Sequence, residues 1–216
     1  MDHFMRKTGL FATSLIILLT LIFIIAIILF PPADYTTTEA YLSHFKISGI
    51  IPVIPSFLLV LANIPLFAAL YFYADNTKRV FGLAGILFGT GYMVCSGINY
   101  YLQLSMVIRN ISLNEVETTK MFLMNNPASF SYAADNLGYT FLSLAFLAFS
   151  GIFNRSGLNS WVKTFSILFG VSGLLGSVGF IINNSLLENM VLISALPYLI
   201  CISLIFIEFK RIRPAD

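Results

Sequence analysis

Asp135 is the residue with the clearest chemical potential in this chain, because it is a carboxylate inside a long apolar run. Tyr132 lies three residues before it and Tyr139 four after it, so each shares a helical face with Asp135, and Asn136 is its neighbour. A second set comprises Ser96, Asn99 and Gln103, spaced by three and four, with Tyr100 and Tyr101 beside them and Arg109 further along. Polar groups within a membrane are costly, so such clusters mark either chemistry or a specific structural need. A carboxylate among amides and phenols could bind a polar or cationic group, or take a proton. Arg109 is the first partner to name for Asp135. Asn183, with Asn184 and His44, completes the polar set expected at the same level.

Each feature also has a plainer structural reading. Asp135 stands one to two turns into its run and could be an interfacial carboxylate reaching water. Asn63, two residues before Pro65, could satisfy backbone groups freed by the proline. Glu208 has Arg211 three residues on and fits simple pairing, while the tyrosines and Trp161 near run ends fit an aromatic belt.

Several chemistries lack their residues. With only His3 and His44, a histidine-rich metal or haem site is not expected, and no cofactor is implied. There is no HExxH, GxSxG or CxxC pattern. Cys95 and Cys201 sit in apolar runs and read as small packing residues. Asp135 has no second intramembrane carboxylate, which weakens an aspartyl-protease reading. No run carries an arginine ladder, and the two halves show no repeat. An enzyme is therefore disfavoured but left open, with Asp135 as its acid or base.

The elements that must position these residues are membrane spans. The chain has 216 residues, 58% hydrophobic and only 10% charged, where a soluble domain carries about 25% charged residues. The net charge of +2 is too small to suggest nucleic acid. Apolar runs at 10–30, 47–73, 80–108, 130–153, 162–182 and 186–209 each approach or exceed the ~20 residues that cross a bilayer core. The expected fold is all-α: one transmembrane domain over 1–216, an integral bundle of six helices. The first run, preceded by Arg6 and Lys7 and stopped by Pro31 and Pro32, reads as an uncleaved signal anchor. The second is interrupted by Pro52, Pro55 and Pro65 and should face protein. Between the third and fourth, Ser112 and Glu115 suggest a capping box. It would open a short amphipathic helix bearing Leu113, Val116, Leu123 and Met124, closed by Asn125, Asn126 and Pro127.

Orientation follows from the basic residues. With the N-terminus in the cytoplasm, Arg6, Lys7, Lys78, Arg79, Arg155, Lys163, Lys210, Arg211 and Arg213 fall inside. Lys46, Arg109 and Lys120 fall outside, a bias of nine against three. Both termini are thus expected to be cytoplasmic in a multi-pass protein of the cell membrane. The polar set then lies in the outer third.

Gly85 and Gly89, in a GxxxG spacing, and Gly173, Gly176 and Gly179, at intervals of three, are expected to let helices approach closely. Such a face could also take a partner membrane helix or a second copy of the chain.

The segment with Gly97, Asn99, Tyr100 and Gln103, then Asn126 and Pro127, then Asp135, Leu137, Gly138 and Tyr139, resembles a group of small bacterial multi-pass membrane proteins classed as a domain of unknown function. That resemblance implies a six-span bacterial protein and carries no activity or catalytic residue. Three functions follow as expectations. The first is an outward-facing polar pocket that binds or moves a small amphipathic molecule or lipid, built from Asn99, Tyr100, Gln103, Arg109, Asp135, Asn136, Tyr139 and Asn183. The second is a regulatory or scaffolding protein acting through helix contacts, and the third an intramembrane enzyme using Asp135.

Overall fold

A computed structural model describes residues 3–31 and 36–212. Pro32, the second proline after the first run, and Arg213, the last of the cations expected to be cytoplasmic, lie outside the described residues.

The described residues are helical, with no strand among them. Helix α1 spans His3–Leu29, α2 Thr38–His44 and α3 Val53–Tyr73. Helix α4, Arg79–Leu102, runs on through a π-helical turn, Gln103–Val107, into α5, Ile108–Ser112. Then come α6, Val116–Phe122, α7, Phe130–Ser150, α8, Gly157–Ile181, α9, Ser185–Glu188, and α10, Met190–Arg211. Five stretches are long and apolar enough to cross a membrane: His3–Leu29, Ile47–Tyr73, Asn76–Ser112, Gly157–Ile181 and Ser185–Arg211. Helix α7, with 21 residues, has the length but not the apolarity. Asp135, Asn136 and several serines and tyrosines lower its hydropathy.

The long helices close into a ring. Helix α1 packs on α3, α3 on α4, α4 on α7, α7 on α8, α8 on α10, and α10 back on α1. Aromatic side chains fill the middle. Phe67 of α3 meets Phe146 and Phe149 of α7 at ring separations of 6.3 and 5.3 Å. Phe146 also meets Phe169 of α8 at 5.1 Å and Tyr198 of α10 at 5.5 Å. These separations suit offset and edge-to-face contact.

Glycine makes room for those rings. A Cβ on Gly85 would lie 2.5 Å from the Phe149 ring, and one on Gly89 2.4 Å from Phe67. On α8, the same addition would meet Ser143 Oγ at 2.0 Å from Gly173, Val191 at 2.3 Å from Gly176, and the Glu188 backbone nitrogen at 2.2 Å from Gly179. The small residues thus seat α3 and α7 against α4, and α7, α9 and α10 against α8, within one chain.

The outside of the ring is as apolar as its centre. Leu18, Ile25, Leu87, Val94, Ile98, Leu168, Val171, Leu192 and Leu196 are exposed. A water-soluble surface rarely carries apolar area on that scale; a lipid-facing one does. Such helices, apolar all round, belong in a bilayer.

The two ends of the ring differ. At one end Arg6 donates to the Phe209 carbonyl at 3.0 Å, and Lys78 to the Ile152 carbonyl at 3.3 Å. Tyr73 donates to Glu208 at 2.9 Å and approaches Asn159 at 3.1 Å. Glu208 thus takes a hydrogen bond from Tyr73 across the ring, a partner its spacing from Arg211 does not suggest. The start of α1 and the ends of α3, α7 and α10 meet here, and the basic residues gather with them.

Candidate functional site

At the other end lie the polar residues. The α4–α7 seam carries Asn99, fully buried, whose amide Nδ2 donates to Asp135 Oδ1 at 3.2 Å. The Tyr100 and Tyr139 hydroxyls stand 3.3 Å apart, and the Tyr100 hydroxyl also interacts with the Asp135 carboxyl. Asn99, Tyr100, Asp135 and Tyr139 therefore come together as one cluster. Asp135 is half-buried. The local cause is helix register: Ser129 caps α7 by accepting from the Tyr132 backbone N–H at 3.0 Å. That places Asp135 in the second turn, facing α4. Gly138, one turn on, allows this approach, since a Cβ there would sit 2.1 Å from Ser96 Oγ.

Gln103 belongs to a different assembly. It opens the π turn, and its Nε2 donates to the Phe122 carbonyl at 2.6 Å and approaches Ser131 Oγ at 3.2 Å. Its Oε1 accepts from the Met124 N–H at 3.4 Å. A π turn often marks a functional or strained point in a helix. Here it brings Gln103 to the loop after α6 instead of to Asp135. Asn126 and Ser129 tie the same loop, to the Lys120 carbonyl at 2.9 Å and the Leu123 carbonyl at 2.7 Å.

The remaining candidates stand apart. Arg109 is exposed, and Asp135 has Asn99 as its partner in its place. Asn136 bonds back to the Tyr132 carbonyl at 3.0 Å on its own helix. Asn183 is an exposed turn residue with φ of 54°, a left-handed conformation that asparagine tolerates, and it closes α8. The proposed capping box at Ser112 and Glu115 does not form: Ser112 Oγ donates to the Arg109 carbonyl, and α6 begins without a side-chain cap. Asn63 spends its amide on the Leu59 carbonyl at 2.8 Å and accepts from Tyr198 at 3.4 Å.

Two features leave no signature in the sequence. Glu188, in the α8–α10 hairpin, accepts a short hydrogen bond from Tyr132, linking the hairpin to α7. No spacing signals that contact, which joins residues 56 apart. The second is the segment before α3. Thr37 caps α2 by accepting from the Ala40 N–H at 3.1 Å, and Tyr41 and Phe45, one turn apart, lie with ring centroids 6.0 Å from each other. Tyr41 is buried, and desolvation raises its phenol above the usual range, so it stays neutral and keeps its proton.

This segment walls two adjoining cavities. One, of about 110 Å³, is lined by Phe23, Ile27, Val53, Ser56, Gln103 and Val107 among others. The second, about 580 Å³ and more open, touches Leu29, Phe30, His44, Lys46 and Ser48. Tyr41, Phe45 and Gly49 line both. The walls are largely apolar, with Lys46 and His44 at the rim and Gln103 and Ser56 within. Among the described residues, no three His, Cys, Asp or Glu side chains group as metal ligands.

No protein-family model matches the chain, and neither a curated protein nor a solved structure is similar to it. The class is set by the molecule itself: a helical multi-pass membrane protein, with a ring of long helices that is apolar inside and out.

Proposed function

We propose that this is a six-span protein of the cell membrane, with both termini cytoplasmic, whose outer end binds a small amphipathic molecule or a single lipid. The nine-to-three bias of basic residues supports the orientation. Helix α7 serves as the fourth span because its polar residues face α4 and α8 and not the bilayer. The α6 helix then lies in the outer loop.

One observation carries the ligand reading: the pair of adjoining cavities walled by Tyr41, Phe45 and Gly49 at the end away from the basic cluster. Apolar walls with a few placed polar groups suit a ligand with one greasy and one polar part. A chain entering past Phe23, Ile27 and Val53 would leave its head near Lys46 and His44. The glycines meet side chains and backbone of their own chain, which favours this reading over a scaffold acting through a small-residue face.

The test is titration of a fluorescent single-chain amphiphile into the full-length protein in nanodiscs. Gly49→Trp, which fills the shared wall, should weaken binding by about tenfold or more, equivalent to some 1.4 kcal/mol. Equal binding by the variant and the wild type would refute the site.

A further inference from the structure

The Asp135 cluster lies outside the two cavities and has its own electrostatic problem. An intramembrane carboxylate needs a compensating charge or a proton. The groups that interact with it are Asn99 and Tyr100 from α4 and, at longer range, Tyr92 from α4 and Tyr132 and Tyr139 on its own helix. Among the described residues none of these is cationic. Glu188, which Tyr132 contacts, only adds negative charge.

The neighbouring oxygens also lack donors. Asn99 Oδ1 and Ser96 Oγ have no hydrogen-bond partner, although Asn99 and Ser96 are both fully buried. A buried polar atom without a partner is costly and calls for an explanation. Asn99 Oδ1 belongs to the same amide whose nitrogen bonds Asp135, so the orphan oxygen lies close to the carboxylate. Carboxylate, amide oxygen and hydroxyls form the donor set of a hard cation, and one carboxylate balances one positive charge.

We propose that Asp135 and Asn99, with the Tyr100 and Tyr139 hydroxyls beside them, form a sodium-ion site in the outer part of the α4–α7 seam. Half-buried Asp135, in the second turn of α7, is its entrance from the outer end. The site stands independently of the amphiphile cavity.

The test measures 22Na+ binding to the full-length protein in nanodiscs of zwitterionic lipid, at ionic strength held constant with choline chloride. The wild type should bind saturably, with displacement by unlabelled sodium and not by choline. Asp135→Asn should reduce binding to background. Asn99→Leu should weaken it by about tenfold or more, the scale on which a supporting polar partner affects ion affinity. Arg109→Ala should leave it unchanged. Should Asp135→Asn fail to fold, Tyr139→Phe removes one hydroxyl alone and should weaken binding severalfold. Absence of saturable binding in the wild type, meaning water alone meets these oxygens, would overturn the proposal, as would undiminished binding in folded Asp135→Asn. Neither result depends on the amphiphile.

Discussion

Replacing Gln103 by leucine should loosen the whole end of the bundle away from the basic cluster. The substitution keeps the side chain's approximate bulk while removing every polar contact it makes. Three groups lose a partner: the Phe122 carbonyl, held at 2.6 Å, the Ser131 hydroxyl at 3.2 Å and the Met124 N–H at 3.4 Å. The first bond is short and part-buried, and the other two are longer and weaker. Taken together they contribute about 2 kcal/mol on the scale of net intramolecular hydrogen bonds. For a chain of this size that corresponds to a fall in Tm of roughly 4–8 °C. The assay is thermal unfolding in nanodiscs, with hydrogen exchange over residues 122–129 as the local readout. Asn136→Ala is the control, since Asn136 bonds only to its own helix. It should lower Tm by much less. A Gln103→Leu shift no larger than the control's, with exchange at 122–129 unchanged, would show that the π turn does not hold the loop.

Other outcomes follow from single contacts. Gly138→Ala drives a methyl to 2.1 Å from Ser96 Oγ and should cost about 1–3 kcal/mol by overpacking; adding Ser96→Ala should recover part of that loss in thermal unfolding. Tyr73→Phe removes the bonds to Glu208 and Asn159 and should cost about 1–2 kcal/mol, with increased exchange at the ends of α8 and α10 nearest the basic cluster. Tyr132→Phe should cost a comparable amount while raising exchange over 185–189, since Glu188 is its cross-helix partner. In a background lacking Cys95 and Cys201, Glu117→Cys should react with an impermeant maleimide from outside the cell, and Ser156→Cys only after permeabilisation. The reverse pattern would invert the topology, and labelling of both from one side would remove a span.

The sequence reveals the long helices well because apolar runs and basic flanks are properties of the chain alone. A boundary holds where a cap sits at the edge of the apolar run, as Ser129 does directly before Phe130 of α7. Helix α8 instead starts at Gly157, five residues before its apolar run and without a side-chain cap, because its first turn is polar. The spacing of Asn99, Tyr100, Asp135 and Tyr139 marks faces that do meet, because helical register carries over two regular helices. Gln103 keeps the same spacing from Asn99 yet serves another site, because the π turn begins at that residue. The cavity walls were not readable at all. They come from a short helix and a 3-10 turn over Ile47–Ile50, each too brief for periodicity to reveal. The partners of Glu208 and Glu188 arise from ring closure, which spacing along the chain does not encode.

The amphiphile site at the end away from the basic cluster is probed most directly by photolabelling with an alkyl chain bearing a diazirine near its tail. Full-length protein in nanodiscs is labelled, digested and mapped by mass spectrometry. Label should concentrate on the segment from Phe45 to Ser56 and on α1 around Phe23 and Ile27, be competed by excess unlabelled amphiphile and be lost in Gly49→Trp. Label spread over lipid-facing residues such as Leu18, Ile98 and Leu168, without competition, would contradict it.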